Sequence, residues 1–321
     1  MKSRDAAGNL ATGSDNTFTT ATSGGGTVTT GTNLYIAQTA AGSADASSCA
    51  NAQAVSWFNT SGNWASSGSG KIVPGSTVHL CGTITAGLTV YGSGTPGNPI
   101  TIYFEPNAKM SLQPWVTATG ITASNRSYIT IDGGANGLIE ALDNGSSAAQ
   151  DGTGPSFGHQ LDVTGIEAEQ VTHLTVQNLK IDNLYQRKAN SSTDGTRVGQ
   201  GMVVSGSDIL IQNNALTDGD TMIAALWGPG AGVYHDLTIT GNTIGRANHG
   251  IGIGSYQAGN SFFDNVTISN NRINDLDVWN NNSALHLDGI IIYDESTDYS
   301  GGISNLNIFN NYIGPNIVTI N

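Results

Sequence analysis

Along this chain apolar and polar residues alternate in short runs that stop at asparagine or glycine. Six runs share one grammar: SYITIDGG (127–134), THLTVQNLKI (172–181), SDILIQNNAL (207–216), HDLTITGNTI (235–244), DNVTISNNRI (264–273) and SNLNIFNNYI (304–313). Each reads apolar, polar, apolar, any residue, then Asn or Gly, with another apolar residue three further on. Alternation of this kind is the period of a half-buried strand, whose successive side chains point to opposite faces. The central residues Ile131, Val176, Ile211, Ile239, Ile268 and Ile308 are separated by 45, 35, 28, 29 and 40 residues. A motif recurring every ~20–50 residues marks a solenoid, in which each repeat buries its apolar face against its neighbours. Fainter copies at 76–84 and 99–110 extend the array toward the N-terminus.

Every repeat also holds a second strand, usually opened by glycine: TGITAS (119–124), TGIEAE (164–169), QGMVVS (200–205), DTMIAA (220–225), HGIGIG (249–254) and DGIIIY (288–293). Two or three short strands per turn, with turn residues between them and no helical period, predict an all-β chain wound as a parallel β-helix. The recurrent asparagines Asn178, Asn213, Asn270 and Asn310 suit a ladder of side chains hydrogen-bonded along the axis. A solenoid end exposes strand edges and needs cover. Residues 44–59, with apolar positions at Ala52, Val55, Trp57 and Phe58, predict a short amphipathic capping helix at the N-terminal end. No comparable feature stands at the C-terminal end. The expectation there is an uncapped coil, either truncated or covered by another chain through end-to-end self-association. Residues 1–31 read as a flexible Gly/Ser/Thr/Asn linker, and 32–321 as the β-helix domain.

Composition sharpens this picture. Glycine counts 43, charged residues make up only 11%, and 24 acidic residues face 11 basic ones for a net charge of −13. A surface this acidic repels nucleic acid and anionic membranes, so neither is expected as a partner. No apolar run is long enough to insert in a membrane. Two cysteines, Cys49 and Cys81, in a polar chain rich in Thr and Asn fit one disulfide in a secreted or cell-surface protein. A pair of free buried thiols is the alternative.

The repeat grammar over roughly 32–321 resembles the pectin-lyase-like right-handed parallel β-helix proteins of bacteria. That superfamily includes polysaccharide lyases, polysaccharide hydrolases, epimerases, phage tailspikes and adhesins, so the resemblance implies a fold and not one activity. A local pattern is similar to that of polygalacturonase-type glycoside hydrolases, which carry Asn-Thr-Asp, Asp-Asp and Gly-His-Gly in successive coils. TDGDTMIAA (217–225) stands where the Asp-Asp coil would be, and NHGIGIGS (248–255) where the Gly-His-Gly coil would be. The resemblance thus matches Asp220 to the second Asp of the pair and His249 to the histidine. Three positions depart from that pattern. Gln200 takes the place of the Asn-Thr-Asp aspartate, Gly219 that of the first Asp, and the Arg-Ile-Lys that grips galacturonate is missing from GIIIYD. A neutral glycan suits the chain better than galacturonan.

Stacking brings equivalent positions of successive coils to about 4.8 Å. The position before each second strand's opener runs Thr119, Thr164, Gln200, Asp220, His249, Asp288, with Asp218 beside it. Glycoside hydrolysis needs one carboxylic acid to protonate the leaving oxygen and one carboxylate to activate water or attack carbon. Asp220, His249, Asp288 and Asp218 are therefore the candidate catalytic residues. The bland alternative is a line of turn-edge polar residues, since DG and HG are ordinary strand openers. Gln200, Arg246 and the aromatic residues Trp227, Tyr256, Trp279 and Tyr293 are the candidate glycan-binding residues, with the insertion 275–289 as a wall. Packing of long loops onto the solenoid is the ordinary role for such rings.

The expected partner is an extracellular polysaccharide, the expected activity hydrolysis, and no cofactor or metal is expected. Two rival functions stand beside it. A polysaccharide lyase acting on a uronate polymer would need a base among Lys180, Arg187, Lys188, Arg197, Arg246 and Arg272, and calcium held by Asp218, Asp220 and Asp288. A surface fibre or adhesin would need no catalysis at all.

Overall fold

The structure is a computed structural model that describes residues 2–4, 10–12, 32–111, 119–141, 163–184, 199–225, 232–255, 261–276, 287–294 and 302–317. Three columns of parallel strand pairs run through it. Sheet A stacks the strands whose central residues are Ile102, Ile131, Val176, Ile211, Ile239, Ile268 and Ile308. Below them lie Thr77–Cys81 and Asn33–Ala37. Sheet B stacks short strands such as Leu138–Glu140, Lys180–Asp182 and 215–217. Sheet C stacks the glycine-opened strands from Thr119–Thr122 to Asp288–Asp294. The chain runs from C to A to B and on to C of the next coil. This is the right-handed parallel β-helix expected from the sequence, with the hand that crossovers between parallel strands adopt in about 98% of cases.

The alternation read from sequence sets which side chains face inward. Ile131, Val176, Ile211, Ile239 and Ile268 of sheet A are fully buried, as are Ile139, Ile181 and Leu216 of sheet B and Ile166, Ile223 and Ile251 of sheet C. Each such side chain contributes about 1.5–3 kcal/mol by leaving water. Where A and C meet without a loop, Gly206 turns the strand Gln200–Gln212 at φ +137°, and a Cβ there would stand 1.9 Å from the Val171 carbonyl oxygen. Only glycine fits.

The asparagine ladder is present, displaced by one residue from the expectation. Asn178, Asn213, Asn270 and Asn310 are the left-handed turn residues, at φ 54–57°. The residues after them form the ladder. Asn214, Asn242 and Asn271 are buried, and each side-chain NH2 donates to the next side-chain oxygen, Asn214 to Asn242 at 3.0 Å, Asn242 to Asn271 at 3.0 Å and Asn271 to Asn311 at 2.9 Å.

The predicted capping helix contracts to a single turn, Val55–Phe58, preceded by a 3-10 turn at Cys49–Asn51. Ala44 and Ala46 adopt positive φ, and Gln53–Ala54 pairs with Ile36–Ala37 as strand, so no continuous helix fits between them. Val55 and Phe58 are buried over the first coils, and Phe58 meets the Trp64 ring edge-on with centroids 4.9 Å apart. Cys49 and Cys81, 32 residues apart in sequence, form the expected disulfide and tie this cap to sheet A. Closing a loop of that size removes unfolded-chain entropy of about 3–4 kcal/mol. Replacing both cysteines with serine is expected to lower stability by that amount in urea unfolding, and dithiothreitol is expected to mimic it.

Of residues 1–31, Lys2–Arg4 and Leu10–Thr12 pair as a small antiparallel sheet, and the rest of the expected linker lies outside the described residues. At the other end the coil 302–317 exposes apolar side chains, among them Ile308, Phe309 and Ile313. Among the described residues no helix is long and apolar enough to cross a membrane.

Candidate functional site

The candidate residues gather where sheet B turns into sheet C. Two strands, Ala215–Ala225 and Thr243–Ser255, run around this corner without interruption. The turn is made by one left-handed residue per coil: Asn183 (φ 54°), Asp218 (59°), Arg246 (47°) and Asp275 (53°). Asn and Asp enter that conformation readily because their short polar side chains bond locally. Arginine does not, so Arg246 carries a backbone cost of about 1–2 kcal/mol that its contacts must offset. In the neighbouring coils residues 185–198 and 277–286, which lie outside the described residues, separate the two strands in sequence, whereas none intervene at Asp218 or Arg246.

Register displaces Asp220 from its expected column. Thr221, not Asp220, pairs with His249, and His249 pairs with Asp288, so the column reads Thr119, Thr164, Gln200, Thr221, His249, Asp288. Met222 stands where the neighbouring coils carry the glycine opener Gly201, Gly250 or Gly289, so the residue before the opener position is Thr221. Asp220 lies one position earlier and is buried, 4% exposed. Its Oδ1 accepts from Asn248 Nδ2 at 2.8 Å, and its Oδ2 accepts from Thr221 Oγ1 at 3.1 Å. A buried carboxylate without such donors would be costly.

His249 is 5% exposed, and its Nδ1 lies 3.1 Å from Asp288 Oδ2 of the next coil. A carboxylate in this position fixes the orientation of an imidazole. Gly250 beside it faces the core, where a Cβ would press on the Gly289 carbonyl oxygen at 2.5 Å and on the Ile273 side chain at 3.0 Å. The glycine opener is thus a packing requirement, and the histidine before it is not.

The second cluster joins two expected residues to one that the sequence did not point out. Arg246 grips Asp218 with two hydrogen bonds, Nε to Oδ1 at 2.6 Å and a second from the terminal nitrogen to Oδ2. The same terminal nitrogen lies 3.6 Å from Asp182 Oδ1. Asp182 ends its sheet B strand one coil below, where Thr217 Oγ1 donates to it at 2.7 Å and Lys180 Nζ pairs with it at 2.8 Å. Burial raises the carboxyl of Asp218 above its ordinary value, and contact with Asp182 adds to this against the opposing pull of Arg246. Burial acts the same way on Asp182, but hydrogen bonds from Asp218, Lys180 and Thr217 outweigh it and hold that carboxyl at about 2. One further coil down, Glu140 pairs with Lys109 at 2.9 Å. Sheet B hid Asp182 because its strands are only two or three residues long before the corner, too short to show a period. The signal was the charge: KID and LIE both place a carboxylate after the core isoleucine.

Gln200 stands in the column with Thr221 and His249. Trp227, Tyr256 and Trp279 lie outside the described residues, as do 277–286 of the expected wall, and of Tyr293 only the backbone is described, paired with Gly254. Asp218, Asp220 and Asp288 are each engaged as above and do not converge on one point. Among the described residues the group with metal-holding geometry is Asp208, His235 and Asp236, at the A–C corner. Asp236 and Asp208 are left-handed turn residues there, and Asp236 already accepts from His235 and Asn265.

Three stacked sheets, an internal asparagine ladder and a polar corner in successive coils define a parallel β-helix of the architecture that the pectin-lyase-like resemblance led one to expect. No known family model matches the chain, and no curated protein matches it. Among solved structures it is similar to a GH136 lacto-N-biosidase from Eubacterium ramulus, at 12% identity and a TM-score of 0.42, covering 88% of this chain and 60% of that one. It is also similar to pectate lyase Pel9A, at 15% identity and a TM-score of 0.43, covering 90% and 80% respectively. The chain thus spans about 60% of the length of the lacto-N-biosidase. Likenesses this distant do not choose an activity.

Proposed function

We propose that this protein is secreted and hydrolyses an extracellular polysaccharide at the corner between sheets B and C. The observation that carries the proposal is the His249–Asp288 pair, a buried imidazole aligned by a carboxylate from the next coil, with Asp220 next to its column neighbour Thr221. Glycoside hydrolysis uses one carboxyl group as acid and a second as base or nucleophile. Asp218, whose proton is favoured by burial, supplies the acid. Asp220, a hydrogen-bond acceptor on the far side of Gly219, supplies the carboxylate, with His249 as its proton partner. Coils with inserted residues at the corner flank two coils without them, a natural place for a glycan to lie across the strands. The disulfide supports an oxidising, extracellular setting.

Hydrolysis is favoured over elimination by the state of the cations. Lys180 is paired with Asp182, Arg246 with Asp218, and Arg272 lies over the Tyr312 ring at 4.8 Å, so each of these three described cations is already engaged. Arg187, Lys188 and Arg197 lie outside the described residues. The test is a panel of neutral and acidic glycans, read for new reducing ends and for near-ultraviolet absorbance. New reducing ends without absorbance on a neutral glycan support hydrolysis. Absorbing products from a uronate polymer, lost on chelation, would replace it with the lyase reading. End-to-end self-association remains a separate proposal, carried only by the exposed apolar side chains of 302–317. A single monomeric species in light scattering would end it.

A further inference from the structure

The A–C corner lies at the opposite edge of sheet C from the proposed catalytic corner. One left-handed residue per coil makes the turn there: Tyr128, His173, Asp208, Asp236, Asn265 and Asn305, at φ 50–60°. These positions form one column, because each stands just before a paired core residue of sheet A, as Asp208 before Ile209 and Asp236 before its partner Leu237. Equivalent positions of successive coils are about 4.8 Å apart, so Asp208 and Asp236 are stacked carboxylates. His235 adds an imidazole beside them, and one donor atom from each of Asp208, His235 and Asp236 lies within 4.8 Å of the others. Like charges stacked in this way call for a cation between them. Among the described residues their ion-pair partners are imidazoles rather than lysine or arginine, His173 at 3.7 Å from Asp208 and His235 at 2.8 Å from Asp236. We propose that Asp208, His235 and Asp236 bind one divalent transition-metal ion of the zinc class, which ties two successive coils together at this corner.

The donor set selects the ion. One imidazole nitrogen and two carboxylates suit zinc and its neighbours, which take nitrogen and oxygen at ~2.0–2.2 Å. Calcium asks for about 6–8 oxygen ligands, more than two carboxylates offer. The side chains of His235 and Asp236 are 51% and 47% exposed, so rotation at the surface closes them on an ion without moving the coil. On binding, His235 Nδ1 exchanges its contact with Asp236 Oδ2 for the metal, and any proton it carries leaves to water. Two contacts already orient the ligands. The His235 backbone N–H donates to Ser207 Oγ at 3.1 Å, and Asn265 Nδ2 donates to Asp236 Oδ1. Outer partners of the second kind hold a metal ligand in its orientation. The neighbouring groups that could compete are engaged elsewhere. The His173 ring stacks on Tyr128 with centroids 4.2 Å apart, and Asp264 accepts from Ser304 and Asn305.

The experiment is a calorimetric titration of the untagged full chain with zinc chloride and, separately, with calcium chloride, with urea midpoints recorded in the presence and absence of zinc. The wild type is expected to bind one equivalent of zinc and to bind calcium at least about tenfold more weakly. Its urea midpoint is expected to rise with zinc, because the ion binds the folded chain in preference to the unfolded one. His235→Ala, Asp208→Asn and Asp236→Asn are each expected to weaken zinc binding by at least about tenfold, since the loss of even an outer partner costs that much. Asparagine keeps the left-handed turn at 208 and 236, so the two carboxylate variants remove charge without removing the corner. In proton NMR, zinc is expected to move the His235 imidazole resonances and leave those of His249 in place. No zinc binding by the wild type overturns the proposal, as does binding unchanged in the three variants. Calcium binding as tight as zinc, or zinc shifts confined to another histidine, overturns it too. None of these readings depends on whether the chain cleaves a glycan.

Discussion

Asn242→Ala is expected to destabilise the protein by about 3–5 kcal/mol. Asn242 is 1% exposed and stands inside the coil as a junction. Its side-chain oxygen accepts from the Asn214 backbone N–H and from Asn214 Nδ2, both at 3.0 Å. Its NH2 donates to the Ile211 carbonyl oxygen at 3.0 Å and to Asn271 Oδ1 at 3.0 Å. Alanine removes these bonds and leaves the Asn214 N–H and the Ile211 carbonyl buried. Each orphaned group costs ~1–3 kcal/mol, and no water can reach them without opening the coil. Asn213→Ala is the matched control, because Asn213 is the exposed turn residue at φ 56°. It loses the left-handed preference of asparagine, worth about 1–2 kcal/mol. Urea midpoints of the two variants decide the matter. A loss in Asn242→Ala no greater than in Asn213→Ala would show that the inner ladder does not carry the coil.

His249→Ala is expected to lower glycan cleavage by about 10²–10⁴-fold, the usual contribution of a positioned general acid or base. The backbone around His249 pairs with Thr221 and Asp288 regardless of the side chain, so the strand survives the change. His249→Gln keeps the polar volume and guards against a loss caused only by an empty space. Asp288→Asn leaves the imidazole in place without its charged partner, and a smaller loss is expected from it. These effects differ in kind from that of Asn242→Ala. One removes a group that does chemistry and leaves the fold, and the other removes bonds that hold the fold and touches no reacting atom.

The strands of sheets A and C were legible because each is four or more residues long, those of A alternating apolar and polar residues and most of those of C opening on glycine. Sheet B was legible only as the apolar residue three places after each Asn or Gly. The ladder was misplaced by one residue because NN in three coils offers two candidates for one inward position. The coil TGNTI distinguishes them: glycine stands at 241, at φ 67°, so the first place is the left-handed turn and the second is the ladder. In the coil below, Leu179 takes the ladder position and its N–H donates to Asn214 Oδ1, so the row ends there. Asp220 was misplaced because Met222 replaces the glycine opener of its coil, which moved the expected opener one residue early. Two places back from the core Ile223, as from Ile251 to His249 and from Ile290 to Asp288, stands Thr221. The pairing of Arg246 with Asp218 spans 28 residues, and neither residue type announces a partner a full coil away.

The most direct measurement is the cleavage rate of Asp220→Asn and His249→Ala on the glycan that the wild-type protein cleaves fastest, with urea midpoints recorded on the same preparations. The expected result is loss of at least about 100-fold in each variant, with both still folded. Wild-type rates in both variants would contradict catalysis at this corner.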